Sequence, residues 1–304
     1  MFEPHHLPLA LGAVVAVGAL VATNVFMLSD VKKTPKPVEA SPTAFREAPV
    51  VSVARESGDT CRLRVAAKVA NAMPPNTGIF HVIVKDDSCQ IARPYSPISH
   101  SENHIELLVK RYELGTVSRH IHSLAPGDKM HIRGPLLTLP YKQNLVERMG
   151  MIAGGTGIAP MLQLINRILD DPLDLTHISL VYASRTPEDI IAKADLDRLQ
   201  QAHPEQLSIT YLADRPSAAA VPQDVHIGPI SASVLAKALP APTRTDPQAR
   251  QKPERAKFPL AVLVCGPEGM ITAVAGPRIA EDVPGPLGGI LKEMGYADQQ
   301  VVKL

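Results

Sequence analysis

The run ARPYSPIS, which begins at residue 92, brings a cation, a phenol and two hydroxyls together within eight residues. In a strand, successive side chains alternate between faces, so Arg93, Tyr95, Pro97 and Ser99 are predicted to share one face and Ser96 the other. A guanidinium and hydroxyls presented together suit an anionic, planar ligand. The run therefore predicts a ligand-binding strand.

A second candidate is AGGTGIAP, residues 153–160, which follows an apolar strand and opens a helix. Gly154, Gly155 and Gly157 let backbone amides approach a ligand, and the start of a helix favours an anion. The spacing does not fit the GxGxxG fingerprint of dinucleotide folds. The alternative interpretation is a glycine-rich turn that only reverses the chain.

The run LVCGPEGM, residues 263–270, ends a later apolar strand. Open α/β sheets bind ligands beyond the carboxyl ends of their strands, so Cys265 and Gly266 are expected at the same edge as Gly154 and Thr156. The alternative is a small buried cysteine.

A fourth run, LVKRYELGTVS, residues 108–118, joins a strand that ends at Tyr112 to a turn at Gly115 and a helix that starts near Ser118. The backbone amides at such a helix start can bind a phosphate, which makes this a second candidate phosphate site. The alternative is that Gly115 and Ser118 only shape the turn.

Composition limits the function classes. The chain has 304 residues, enough for two domains, and a formal net charge of +1 without tryptophan, which argues against nucleic-acid binding. Cys61, Cys89 and Cys265 are scattered without metal-ligand spacing, so free thiols are expected and no metal site is indicated.

The N-terminal region differs from the rest of the chain. Residues Leu7 to Leu28 carry no charge, about the length that crosses ~30 Å of hydrocarbon, and several lysines follow. A membrane anchor is expected over residues 1–30, with the remaining chain on the cytosolic side. The pattern leaves open a mitochondrial membrane, outer or inner, or the endoplasmic reticulum.

The rest of the chain divides into three parts. A Pro-rich linker is predicted over residues 31–59. Short alternating strands over residues 60–143 predict a small antiparallel β-barrel, and strands alternating with helices over 144–304 predict a parallel α/β domain. The polar segment 240–258 is predicted to be a surface loop, or alternatively a docking loop for a charged partner.

In their order along the chain, RPYS, LVKRY, GTVS, GGTGIAP, VYASRTPEDII and CGPEGM resemble the motifs of ferredoxin-reductase-like flavoproteins, and within these the membrane-anchored NADH–cytochrome b5 reductases. The resemblance covers roughly residue 60 to residue 304. It implies a barrel that binds FAD, a parallel domain that binds NADH, hydride transfer from the nicotinamide to the flavin, and single-electron transfer to a haem protein such as cytochrome b5.

The resemblance also assigns residues. It places Arg93 at the FAD pyrophosphate, Lys110 near the nicotinamide cofactor's phosphates, and Thr156 and Cys265 as catalytic residues beside the flavin and the nicotinamide. Asp214 is expected to favour NADH over NADPH, because a carboxylate accepts from a ribose hydroxyl and repels a 2′-phosphate. Arg215 beside it acts in the opposite direction, since a cation attracts that phosphate. The full expected cofactor-binding set is Arg93, Pro94, Tyr95, Ser96, Val109, Lys110, Tyr112, Gly115, Val117, Ser118, Gly154, Gly155, Thr156, Asp214, Cys265 and Gly266.

Some residues depart from the family pattern. The chain ends in Leu304 where the family usually has an aromatic residue, and Glu268 replaces a frequent proline. The C-terminal region is also similar to a sister branch of mitochondrial flavoproteins that assist haem attachment to cytochrome c. An accessory protein of that kind, with slow turnover, is the alternative function.

Partner docking is predicted from a group of cations on the barrel side. An acidic haem protein could be attracted to them, whereas the alternative is an ordinary solvated surface. The group comprises Lys110, Arg111, Arg119, Lys129 and Arg133.

Overall fold

The computed structural model describes residues 35–74, 76–86, 90–217, 222–243, 258–280 and 283–304. The predicted anchor over residues 1–30 lies outside these ranges, as do Cys89 and residues 244–257 of the predicted loop. None of the helices in the described ranges is both long and apolar enough to cross a bilayer.

The first half of the described chain is mainly an antiparallel sheet, with one short helix. Its seven main strands lie in the order β6-β5-β9-β2-β3-β8-β7, and β1 pairs separately with β4. The elements are β1 (Val38–Glu39), β2 (Arg46–Arg55), β3 (Thr60–Val65), β4 (Ala67–Lys68), β5 (Thr77–Asp86), β6 (Ile91–Tyr95), β7 (Ser99–His100), β8 (Ile105–Lys110), α1 (Thr116–Ser123) and β9 (Lys129–Pro140).

This sheet curls on itself, as the predicted barrel requires. Helix α1 contacts β5 and β6 at one end of the strand order and β8 near the other end. The rings of Phe80 on β5 and His100 on β7 also lie 5.6 Å apart between centroids. Alternating apolar side chains of β2, β3, β5, β8 and β9 fill the interior, among them Val50, Leu63 and Val82.

The predicted linker over residues 31–59 is wrong for residues 46–55. These residues form β2, which pairs with β3 and with β9, and Ala48 and Val50 are fully buried in the sheet's interior. Pro49 lies within the strand, where the pairing passes from β9 to β3. The reason for the error is that proline suggests a loop, although a strand tolerates it at an irregular position.

The second half is a six-stranded parallel sheet with the order β13-β12-β11-β10-β14-β15. The predicted α/β arrangement is confirmed. The elements are β10 (Val146–Gly154), α2 (Ile158–Leu169), β11 (His177–Ser184), α3 (Lys193–Ala202), β12 (Leu207–Ala213), β13 (Val225–Ile227), α4 (Ala232–Ala238), β14 (Phe258–Cys265), α5 (Glu268–Ala275), α6 (Gly289–Glu293) and β15 (Val301–Lys303).

Helix α3 begins at Lys193, because Ile190 and Ile191 turn into the core and Ala192 adopts a left-handed φ of 55°. One local prediction differs from the structure. ARPYSPIS is not one strand: β6 ends at Tyr95 and β7 begins at Ser99. Pro97 between them is buried and has no N–H for a ladder.

The two halves share a hydrophobic core. Ile79, Ile98 and Leu108 from the antiparallel half pack in the same buried cluster as Met161 and Ile165 of α2. Helix α2 therefore contacts both sheets, and the loop that precedes it is held between them.

Candidate functional site

A cleft of about 1470 Å³ lies between the antiparallel and the parallel half. Val109 is the one expected binding residue outside its lining, since its side chain is buried in the barrel interior and its carbonyl accepts from His122 Nε2 at 2.8 Å. The expected residues that line the cleft are Arg93, Pro94, Tyr95, Ser96, Lys110, Tyr112, Gly115, Val117, Ser118, Gly154, Gly155, Thr156, Asp214, Cys265 and Gly266.

Strand β6 is the last strand on its side of the sheet and presents its end to the cleft. Arg93 is exposed there, and its Nη1 donates to the Ala92 carbonyl at 2.8 Å, which leaves most guanidinium donors for a ligand. Burial raises the pKa of Tyr95 to about 12, so its phenol stays protonated and can donate a hydrogen bond at neutral pH.

The start of α1 also faces the cleft, and no side chain caps it. The turn before it is built by Ser118, whose Oγ accepts from the Tyr112 amide at 3.1 Å and donates to the Gly115 carbonyl at 2.9 Å. A Cβ on Gly115 would stand 2.5 Å from that Oγ, so the turn requires glycine. The first-turn amides are left without a capping side chain, which suits a phosphate.

On the parallel side, the glycine loop and the end of β14 lie in contact. Ala153 is paired in register with Cys265, and a Cβ on Gly157 would stand 2.3 Å from the Cys265 carbonyl oxygen. A Cβ on Gly154 would stand 2.6 Å from Met270 Sδ. Glycine is needed at position 157 because the two backbones approach too closely for a side chain, whereas a side chain at position 154 would have to displace the Met270 side chain.

Cys265 is a neutral group at this edge. Burial raises the pKa of its thiol to about 11, with Arg278 acting in the opposite direction. A thiol that stays protonated at neutral pH is a poor nucleophile. Cys265 therefore lines the cleft as a neutral group.

The neighbouring strand ends contribute Asp214 and Ser184. Asp214 is exposed just after β12, and its amide donates to the Ser184 carbonyl at 3.0 Å. Ser184 Oγ is buried at the cleft near the hydroxyl of Tyr182, which donates to the Gly155 carbonyl at 3.1 Å.

An ion cluster spans the two sides of the cleft. Asp59 Oδ2, in the turn between β2 and β3, lies 2.9 Å from both Lys110 Nζ and Arg185 Nη2. Arg185 also pairs with Asp189 at 3.1 Å. Burial by itself would raise the pKa of Asp59, but Lys110, with help from Thr60 and Arg185, lowers it, so the carboxylate is ionised.

Leu304, the residue that departs from the family's aromatic ending, lines the cleft as well. Arg278 Nη1 donates to its carbonyl oxygen at 3.1 Å, while Arg278 Nη2 lies 2.7 Å from Glu268 Oε2. The two departures noted in the sequence, Leu304 and Glu268, are thus joined through one arginine at the cleft.

Sequence reasoning did not single out several lining or supporting residues, namely Asp59, Ser184, Arg185, Asp189, Met270 and Arg278. The rule that selected Cys265, the carboxyl end of a parallel strand, also selects Ser184 and Arg185. Asp59 gave no such signal, since an aspartate in a turn is common.

The residues present fit two cofactors. The uncapped start of α1 with Arg93 suits the phosphates of FAD. The glycine loop suits a nicotinamide dinucleotide, because its lack of side chains lets a ligand approach the backbone. Both sites open into one cleft, so two ligands can meet there.

Comparisons with known proteins agree with an FAD site on the antiparallel half and a nicotinamide site on the parallel half. Residues 47–141 match the oxidoreductase FAD-binding domain family and residues 151–276 match the oxidoreductase NAD-binding domain family. NADH-cytochrome b5 reductase 2 of Kluyveromyces lactis is 30% identical over 305 residues, which covers 98% of this chain and 96% of that protein.

Two further relatives are longer than this chain. NADH-cytochrome b5 reductase 2 of Coccidioides immitis is 38% identical over 72% of this chain, and an NADH-cytochrome b5 reductase-like protein of Arabidopsis thaliana is 40% identical over 70%. The matched part spans 63% and 60% of their respective lengths.

Among solved structures, the cytochrome b5 reductase domain of Ulva prolifera nitrate reductase superposes with a TM-score of 0.69 at 25% identity. The match covers 88% of this chain and all of that domain.

Proposed function

Because this chain belongs to the NADH-cytochrome b5 reductase family, we propose that it is a reductase that takes hydride from NADH and delivers single electrons to a haem protein. The observation that carries the proposal is the shared cleft, where Arg93 and the start of α1 face the glycine loop and Cys265. Two cofactors held on opposite sides of one cleft can exchange a hydride without a catalytic acid or base.

Each side of the cleft has its own task. Arg93 and the first-turn amides of α1 would hold the FAD phosphates, and Tyr95 and Ser96 would donate hydrogen bonds to the rest of that cofactor. When bound, FAD supplies the exchange of one hydride for two single electrons. Thr156 and the neutral Cys265 thiol would orient the nicotinamide.

The choice of NADH over NADPH is assigned to Asp214. Its exposed carboxylate at the end of β12 is placed to accept from a ribose hydroxyl and to repel a phosphate at that position. Arg215 follows directly and is exposed, so its charge opposes this preference, whereas Arg185 is paired with both Asp59 and Asp189.

Cytochrome b5 is the proposed electron acceptor, since the relatives reported above are named for it. Of the five cations predicted to attract it, Lys110 and Lys129 pair with Asp59 and Glu47, and Arg133 packs over the Phe45 ring. Arg111 and Arg119 are exposed and are next in sequence to the lining residues Tyr112 and Ser118, which supports docking of an acidic surface near them.

Attachment to a membrane through Leu7 to Leu28 is part of the proposal. It rests on the uncharged run of the sequence and the lysines after it. Extraction of membranes at alkaline pH tests it: the full chain should remain with the lipid, and a chain that begins at Lys32 should be released.

The test of activity is anaerobic stopped-flow reduction of the detergent-solubilised protein by NADH and by NADPH, followed at the flavin absorbance. Fast bleaching by NADH, followed by reoxidation with cytochrome b5, is the expected result. Bound flavin that bleaches slowly with either cofactor would refute the reductase and favour the accessory protein. Faster reoxidation by cytochrome c than by cytochrome b5 would assign a different acceptor.

A further inference from the structure

Gln163 of α2 makes two hydrogen bonds across the boundary between the halves. Its side chain is 5% exposed; Oε1 accepts from the Phe80 amide at 2.7 Å and Nε2 donates to the Pro97 carbonyl at 2.8 Å. An amide side chain can donate and accept at once in this way, and an apolar or acidic residue of similar size cannot.

The two backbone groups that it contacts belong to the side of the cleft assigned to FAD. Pro97 directly follows Ser96, the last residue of the RPYS motif. Phe80 lies on β5 where the pairing with β9 shifts register, so its amide meets the glutamine instead of continuing a regular ladder. Gln163 is therefore fixed to the strand end that faces FAD.

At its other end, Gln163 is fixed to the glycine loop. Helix α2 starts directly after Gly155–Gly157, and Gln163 lies six residues beyond Gly157, about 9 Å along the helix axis at the usual rise. A helix transmits such a constraint with little deformation, because its backbone is hydrogen-bonded throughout. Gln163 thus helps to fix the position of Thr156 relative to Ser96, together with the packing of the shared core.

We propose that Gln163 is a positioning residue for hydride transfer, setting the distance and angle between the nicotinamide and flavin sites by joining the glycine loop to the RPYS strand. This inference rests on the proposed function. Hydride transfer requires the reacting atoms in near-attack geometry, and a displacement of about 1 Å can reduce the rate about 100-fold. Loss of Gln163 should therefore affect the chemical step more than cofactor binding.

The first variant is Gln163→Met, which keeps the size and removes both hydrogen bonds. Asn166→Ala is the matched control, because Asn166 lies on the same helix and also crosses the boundary, donating to the Ile98 carbonyl at 3.2 Å, one turn farther from the glycine loop. Flavin content, the Kd for NADH, the limiting rate of flavin reduction and the long-wavelength charge-transfer absorbance with NAD+ are measured for each.

The expected result is a limiting rate at least tenfold lower and a weaker charge-transfer band for Gln163→Met, with flavin content and Kd nearly unchanged. Asn166→Ala should stay within about twofold of the wild type. A Gln163→Met rate within twofold of the wild type overturns the proposal, as does an equal loss in both variants, which would indicate general loosening of the boundary.

Gln163→Glu is a smaller change that also tests whether Gln163 positions the two sites. It provides a second test if Gln163→Met does not fold. The carboxylate still accepts from Phe80 but opposes the Pro97 carbonyl, and protonation restores the donor. The reduction rate of this variant should rise as pH falls, whereas that of the wild type should not. A parallel pH dependence of the two proteins would overturn the assignment.

If the proposed reductase function is wrong, the result differs from the one expected if only the role of Gln163 is wrong. Wild-type protein that holds flavin but is not reduced by NADH would refute the reductase. Flavin reduced chemically with dithionite and titrated with NAD+ would still report the geometry, because Gln163→Met should weaken the charge-transfer band without any turnover.

Discussion

Gly157 lies directly against the carbonyl group of Cys265, so that a Cβ atom on Gly157 would stand 2.3 Å from the Cys265 oxygen. The two residues are more than a hundred positions apart in the chain and belong to neighbouring strand–loop units of the parallel sheet. Their contact therefore determines how closely the glycine loop, which includes Thr156, lies to the end of β14 at the cleft.

Gly157→Ala should therefore disturb this wall. Because the backbone of Cys265 must move to admit the methyl group, the free energy of unfolding should fall by about 1 to 3 kcal/mol, as for other overpacked sites. The rate of flavin reduction by NADH should fall as well. Urea unfolding and stopped-flow absorbance measure the two effects.

Gly269→Ala is the control, since a Cβ there meets no atom within 4 Å and the residue lies in helix α5. It should leave the reduction rate unchanged and stabilise the helix slightly. Equal effects of both substitutions would contradict the role given to the close contact.

Arg93→Ala should weaken FAD retention. Removing a charged donor from a phosphate is expected to raise the Kd for FAD about 10- to 100-fold. Flavin content after gel filtration and rebinding of FAD by fluorescence quenching measure this. Arg198→Ala, on α3 and paired with Asp195 outside the cleft, should retain full flavin. Fully flavinated Arg93→Ala would remove Arg93 from the FAD site.

Asp214→Ala should narrow the preference for NADH over NADPH. Loss of the carboxylate removes an acceptor for the ribose hydroxyl, so kcat/KM for NADH should fall about 10- to 100-fold. The value for NADPH should rise, because the repulsion is also removed. Asp224→Ala removes an exposed carboxylate that pairs with Lys193 and should leave the ratio unchanged. An unchanged ratio in Asp214→Ala would show that this residue does not contact the ribose.

Asp59→Asn should strengthen binding of anionic nucleotides. The substitution removes a carboxylate that lies 2.9 Å from both Lys110 and Arg185, and both cations face the cleft. The KM for NADH is expected to fall severalfold, with a steeper dependence on salt.

Glu56→Gln is the control for Asp59→Asn, since Glu56 accepts from the Ala192 amide at 2.7 Å and joins the two halves without contacting those cations. A higher KM in Asp59→Asn would mean that Asp59 orients the cations and does not compete with the nucleotide for them.

Because of Cys61, the protein is expected to lose stability at alkaline pH. It is buried in the barrel interior, and burial raises the pKa of its thiol from 9.0 to about 11. Between pH 9 and 11 the unfolded thiol therefore loses its proton while the folded one keeps it, and the free energy of unfolding falls as pH rises. Below pH 9 this contribution to stability is fully present.

Urea unfolding at a series of pH values measures the slope. Cys61→Ala should flatten it between pH 9 and 11, even if the variant is less stable at neutral pH. Cys265→Ala, at the cleft wall, removes the second described thiol with a raised pKa and serves for comparison. An identical slope in Cys61→Ala and wild type would show that Cys61 does not titrate in this range.

Local patterns in the sequence predict the two kinds of sheet and most of the residues that line the cleft. Glycines after an apolar strand, a helix start after Gly115 and a strand that ends at Cys265 depend on local chemistry, so short stretches predict them. The same local reasoning assigned β2 to a linker because of Pro49 and the prolines before it. The family resemblance placed Val109 in the site, although its side chain faces the barrel interior.

Only the tertiary structure showed which residues hold the two sides of the cleft together. Asp59 meets Arg185 across 126 positions of the chain, and Gln163 meets Pro97 across 66. Periodicity and turn signals act over a few residues, whereas these contacts exist only after the two sheets have packed around α2. An aspartate in a turn and a glutamine in a helix are ordinary in sequence, and their roles come from the partners that folding brings to them.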